Sequence, residues 1–180
     1  MPRFTEMLVT GMRARGHEVE LWAPEAKAWH LAPCASLRKW FGYIDQFILF
    51  PRWAKRRIAE VPPETLFVFI DQALGPWVPL VADRPHIIHC HDFLAQRSAR
   101  GDFPEHRTSW TGRLYQRYIR RGYRQGKAFI AISKATQNDL HAFLGFVPAV
   151  SEVIYNGYNA DFRKVDRKEA RKTLPEDLRQ

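Results

Sequence analysis

The segment Ala128-Phe-Ile-Ala-Ile-Ser133-Lys134-Ala-Thr136-Gln-Asn-Asp139-Leu140 constrains the fold more than any other stretch of the chain. An unbroken apolar run of this length fits a strand covered on both faces, as in parallel sheets. Ser133 is a helix-capping type placed where that run ends, so the chain is expected to turn there from strand to helix. Downstream, Val153-Ile-Tyr-Asn156-Gly157 reads as a second strand closed by an Asn-Gly turn. Two such strands bring polar side chains and helix-start N–H groups to one carboxyl edge, where open α/β sheets bind ligands.

The rest of the chain supplies matching units. Phe4, Met7, Leu8 and Met12 recur at helical spacing up to Gly16. Glu18 to Trp22 alternates polar and apolar, which predicts a half-buried strand. Ser36 is read as the cap of a helix whose apolar face runs from Leu37 to Ile48, with Pro51 interrupting it. Leu66 to Ile70 and His86 to Cys90 are two further buried strands, the first ended by Asp71. Pro76 and Pro79 allow only a short or broken helix between them. From Asp92 to Trp110 the reading is a long charged loop. Alternating strands and helices of this kind predict parallel crossovers in one twisted sheet.

At 180 residues and 46% hydrophobic content the chain suits one core. Two cysteines give no disulfide framework and suit a reducing compartment. No apolar leader follows Met1 and no run approaches the length of a membrane span, so the expected location is cytoplasmic. A net charge of +9 draws the chain toward phosphates, on nucleic acid, anionic lipid or nucleotide. Zinc fingers, basic heptad regions and RNA-binding aromatic motifs are not seen, which favours a membrane surface over nucleic acid. The helix read from Gly112 to Arg124 concentrates that charge: Arg113, Arg117, Arg120, Arg121 and Arg124 surround an apolar face of Leu114, Tyr115, Tyr118, Ile119 and Tyr123. It reads either as a core helix with a solvated face or as a helix that lies on anionic lipid, possible partners for the latter being phosphate head groups.

Candidate site residues gather at the strand ends. Asp71 follows the first of the buried strands, and His91 and Asp92 follow the second. Ser133, Lys134 and Thr136 occupy the first turn of the helix after the third, and Asn156 and Gly157 close the fourth. Each has an ordinary structural alternative: a solvated strand end, a cap, a tight turn. His89 and His91 share a strand face, yet three or four ligands with a distant partner are needed for zinc, so no metal is assigned.

The strand ending in Ser133-x-x-Thr136, followed after one helix by a strand ending in Asn156-Gly157 with Phe162 shortly after, resembles the N-terminal domain of retaining family-four glycosyltransferases of the GT-B type. Gly16-His17-x-Val19 resembles the junction of that family's first helix and second strand. The resemblance implies a Rossmann-like doubly wound parallel α/β sheet, one half of a GT-B fold, over residues 1–158. Residues 159–180 would form the interdomain linker and the start of a truncated C-terminal donor domain. In the family a strand and a Gly-rich loop precede the first helix, so the expectation is a sheet lacking its first, central strand and left with an open slot. Tyr158-Asn159 stands where the family usually has Val-Asp.

What the resemblance implies about activity follows. The chain would be the acceptor-binding half of an enzyme moving a hexose from a nucleotide sugar to a lipid-linked or saccharide acceptor, inactive as this fragment. His91 would be the catalytic contact to the sugar at the reacting carbon. Asp71, Asp92, Ser133, Lys134, Thr136, Asn156 and Gly157 would contact substrate. No cofactor is implied beyond the nucleotide-sugar donor, which the C-terminal domain would hold. The absence of Asp-x-Asp, the metal-holding pair of the other large glycosyltransferase fold, agrees with this. Two other classes remain open from the sequence: a non-catalytic sugar- or phosphate-binding module, and a basic nucleic-acid-binding protein.

Overall fold

The first helix, α1 (Pro2–Arg13), ends where its periodicity predicts, and the chain reverses at Gly16 with φ of +84°. Only glycine adopts that left-handed conformation without strain. The amides of Gly16 and His17 then close on the carbonyls of Arg13 and Met12. In the computed structural model residues 2–157 and 164–173 are described. The Tyr158-Asn159 pair, Asp161, Phe162 and the 158/159 boundary lie outside the described residues.

Residues 18–22 form no strand, contrary to their alternation. Their backbone finds no ladder partner among the described residues, and side chains hold the segment instead. Arg13 donates to the Val19 carbonyl at 2.8 Å, Glu20 pairs with Arg57, and Trp22 packs edge-on against Trp53 and Phe67. Leu21 is exposed.

A helical layer follows, comprising α2 (Lys27–His30), a 3-10 turn (Ala35–Leu37), α3 (Arg38–Ile44), a π-helical turn (Asp45–Leu49) and α4 (Phe50–Glu60). Ser36 is not a cap: it lies inside the 3-10 turn, its hydroxyl beside the Cys34 thiol. Pro51 does not break the helix either. The π turn widens the backbone so that Phe50 N–H reaches the Asp45 carbonyl, five residues back, and Pro51 follows in the first turn of α4 without ending the helical path.

The sheet contains β1 (Phe67–Phe69), β2 (His86–Cys90), β3 (Ala128–Ala131) and β4 (Val150–Val153), all parallel and in the order β1-β2-β3-β4. Between β1 and β2 runs a 3-10 helix (Gln72–Val81) carrying Pro76 and Pro79. Helices α5 (Leu94–Arg100) and α6 (Trp110–Tyr123) join β2 to β3, α7 (Lys134–Leu144) joins β3 to β4, and α8 (Arg167–Thr173) follows. This is the expected Rossmann-like α/β class. No slot opens within the sheet, however, because each strand pairs with the next.

A sheet built in one direction by right-handed crossovers places those crossovers on one face. That face holds the core: Ile88, Cys90 and Phe129 from the strands meet Val78, Phe93, Ile119, Tyr123, Leu140, Phe143 and Leu144. The 3-10 helix and α6 approach so closely that a Cβ on Gly75 would stand 2.3 Å from the Ile119 carbonyl oxygen. The opposite face, with Ile87, His89 and Ile130, is half-buried, and Phe4 of α1 lies across it against His89.

Two further expectations change. The segment after Asp92 is not one long loop: α5 fills its first part, and Arg97 and Arg100 bind Asp102 while Ser98 holds Thr108. The last strand lies earlier than the sequence reading placed it, beginning at Val150 and ending at Val153. Ile154 still pairs with the Ala131 carbonyl, but Asn156 and Gly157 are exposed and form no turn, and the φ of Gly157 is not positive.

Candidate functional site at the carboxyl edge

Four strand ends lie side by side, and side chains bind three of them together where the backbone ladder stops. His91, the first residue after β2, is 9% exposed and places Nε2 at 2.9 Å from the Ile70 carbonyl beyond β1. A carbonyl only accepts, so Nε2 carries the proton and donates. In the neutral ring Nδ1 is then an acceptor, and no protein partner meets it among the described residues. Gln72 completes the bridge: its Oε1 accepts from His91 N–H at 3.1 Å and its Nε2 donates to the Asp92 carbonyl.

From the other side, Thr136 Oγ1 donates to the His91 carbonyl at 3.2 Å. Thr136 stands in the first turn of α7, whose cap is Ser133, with the Ser133 hydroxyl accepting from Thr136 N–H at 3.1 Å. The strand-to-helix switch is therefore where the sequence placed it. A helix N-terminus carries a partial positive charge that favours oxygen anions, and that of α7 follows directly on the end of β3.

The remaining candidates divide. The Asp71 carboxylate caps the 3-10 helix by accepting from Ala73 N–H at 2.7 Å, and Asp92 does the same for Leu94 N–H at 3.0 Å. Lys134 lies exposed and reaches back along α7 to Gln137 Oε1 at 2.7 Å. Asn156 and Gly157 stand apart: β3 separates β2 from β4, so Asn156 is not a spatial neighbour of His91 as the strand-end reading expected. Of the arginines on α6, Arg113, Arg117, Arg121 and Arg124 are exposed and Arg120 is half-buried. They lie on the crossover layer and not at this edge.

Phe4 packs against both histidines. Its ring stands edge-on to His91 at 4.7 Å and to His89 at 5.2 Å. Burial, and then the neighbouring His91, hold the His89 pKa below its ordinary value. Under the edge, burial pushes the thiol of Cys90 and the phenol of Tyr123 well up, so both stay neutral. The Tyr123 hydroxyl has no hydrogen-bond partner among the described residues. His86 is a structural histidine: Nδ1–H donates to the Arg84 carbonyl and Nε2 accepts from Lys127 N–H, tying β2 to the start of β3.

Sequence reasoning missed Gln72, Phe4 and the Ile70 carbonyl. A lone Gln after a strand end carries no pattern, and a backbone carbonyl carries none at all. No cluster of three His, Cys, Asp or Glu side chains suited to a metal occurs among the described residues, and no described helix is long and apolar enough to cross a membrane.

A family model described as Glycosyltransferase Family 4 matches residues 1–162. No curated protein and no solved structure matches the chain.

Proposed function

We propose, for a chain that belongs to glycosyltransferase family 4, that its carboxyl edge is the acceptor side of a retaining hexosyltransferase. The chain is an N-terminal domain of that family, and its parallel sheet is the Rossmann-like half of a GT-B arrangement. A nucleotide sugar is the donor in this reading, held mainly by a separate donor domain, with no further cofactor. The acceptor is a lipid-linked or saccharide molecule met on the cytoplasmic side of a membrane. Alone, the described unit binds acceptor and does not transfer.

The observation that supports this best is the tautomer of His91. With Nε2 committed to the Ile70 carbonyl, Nδ1 is left to accept a hydrogen bond from a sugar hydroxyl at the strand end. Such a bond helps catalysis to the extent that it strengthens as charge develops at the reacting carbon. The first-turn N–H groups of α7, with Lys134, meet further acceptor oxygens. Asp71 and Asp92 shape the rim by fixing the turns after β1 and β2.

The test uses the complete polypeptide that the gene encodes, assayed for sugar transfer from a panel of nucleotide sugars. His91→Gln retains a donor for the Ile70 carbonyl but lacks the imidazole acceptor. It should lower kcat by roughly 10²-fold, the scale of one transition-state hydrogen bond in a closed site, with donor affinity by calorimetry little changed. A variant with normal kcat removes His91 from the chemistry. Sugar binding without transfer by the complete polypeptide would make this a binding module.

A further inference from the structure

The helical layer carries a surface that the acceptor site does not use. Rings of α3, the π turn and α6 form one continuous chain: Tyr43 stands between Trp40 and Phe47, and Tyr115 and Tyr118 close on Tyr43 and Phe47 at 5.7–6.4 Å. Trp40 is 61% exposed and Trp110, at the start of α6, 72%. Along α6 the exposed Trp110, Leu114 and Tyr118 recur every four residues, and each is followed three residues later by Arg113, Arg117 or Arg121. An apolar stripe and a cationic stripe therefore run side by side on one helix.

The charges around it are of one sign. From Lys27 to Ala59 the only carboxylate is Asp45, which is buried and accepts from the amides of Ala28 and Trp29. From Arg107 to Asn138 there is none. Among the described residues no ion pair involves Arg38, Lys39, Arg113, Arg117 or Arg121. A helix made only for water would set carboxylates four residues from such arginines, and a purely electrostatic polyanion site has no use for exposed tryptophans and leucines beside the charge.

We propose that this composite face of α3 and α6 docks on an anionic bilayer, with Trp40, Trp110, Leu114 and Tyr118 entering the boundary between head groups and acyl chains while Arg113, Arg117 and Arg121 take lipid phosphates. Amphipathic aromatic rings favour that depth, and arginine stems extend to the phosphate plane. The inference deepens the reading of a lipid-linked acceptor, since it holds the acceptor half at the surface where such a molecule resides. Its test is independent of sugar transfer.

The test is binding of the 180-residue chain to vesicles. Phosphatidylglycerol-containing vesicles should sediment it and pure phosphatidylcholine vesicles should not. Bromine-labelled acyl chains should quench part of its tryptophan fluorescence. Trp40→Phe with Trp110→Phe keeps the apolar surface, so it should retain sedimentation and lose that quenching. Trp40→Ser with Trp110→Ser should weaken sedimentation. The triple change Arg113→Gln, Arg117→Gln and Arg121→Gln should weaken it on the order of 100-fold, from about fivefold for each cation. Circular dichroism confirms that each variant is folded; these side chains are exposed. Absence of quenching, or quenching unchanged in the Phe variant, overturns the proposal. So does equal, arginine-dependent binding to a random-sequence RNA oligonucleotide without tryptophan burial. If docking holds while the complete polypeptide transfers no sugar, the acceptor reading falls and this one stands.

Discussion

Gly75 and Gly122 place two backbones in direct contact: a Cβ added to Gly122 would lie 1.9 Å from the Gly75 carbonyl oxygen. The contact sets the distance between the 3-10 helix Gln72–Val81 and α6. The first is the segment that starts at the cap of Asp71 and at Gln72, the bridge to His91. The position of the candidate site thus depends on two missing methyl groups outside it.

Gly122→Ala should therefore destabilise the protein by ~1–3 kcal/mol or more, the cost of overpacking where only backbone could move. Urea unfolding followed by circular dichroism measures it. Gly11→Ala is the control: its Cβ would meet only the Arg15 guanidinium at 3.5 Å, and helix propensity predicts a gain of up to ~1 kcal/mol.

His89 gives a pH dependence. Burial and His91 hold its folded pKa below the ordinary 6.5, so the neutral form is favoured by folding. Its contribution is present above the unfolded value and is lost as pH falls through the folded one. Urea midpoints should drop on acidification from neutrality to below about 6.5. His89→Gln should flatten that part of the profile; an unchanged slope would assign the drop to other groups.

Asp45 should matter despite lying in a π turn. Its carboxylate accepts from Ala28 N–H at 2.7 Å and Trp29 N–H at 2.9 Å, fixing the start of α2. Asp45→Ala leaves those donors without a partner and should cost about 1–3 kcal/mol. Asp45→Asn keeps one acceptor oxygen and should cost less. Equal losses in the two variants would argue against the hydrogen bonds as the source.

Ser133→Ala removes the cap of α7 and should cost about 0.5–2 kcal/mol. Because Thr136 binds both Ser133 and the His91 carbonyl, the effect should extend to the sheet edge. Amide exchange at His91 and Gln72 should accelerate relative to Phe129, which lies mid-strand. Uniform acceleration would mean that Ser133 acts on global stability alone.

The elements that were legible in the sequence are those whose cause is local. Ser133 sits between an apolar run and a helix, so strand, cap and helix follow from a dozen neighbouring residues. Strands β1 and β2 were legible from their apolar residues, but the first is not the fully buried strand expected: Leu66 and Val68 are exposed, because β1 is the edge of the sheet with a neighbour on one side alone among the described strands. Glu18 to Trp22 has equally good alternation, but a strand requires a neighbour's backbone, and a period of two says nothing of that. Pro51 was read as a breaker because the rule assumes an α-helical register, which the π turn abandons. At the edge, His91 was found by its place after a strand, while its tautomer depends on a carbonyl twenty-one residues away. Asn156 was grouped with it because strand ends look alike until the order of the strands is known.

That order has a consequence for how the molecule is made. Each strand's partner in the sheet is also the strand synthesised just before it. A nascent chain emerging N-terminus first thus offers β1 as a template when β2 appears, then β2 for β3 and β3 for β4. Among the described strands none has to be inserted between two that are already paired, and the growing edge is always the newest strand. Parallel sheets ordinarily fold slowly because distant segments must find one another. Here each described strand after β1 has the preceding one as its template, so the search runs in one direction along the chain.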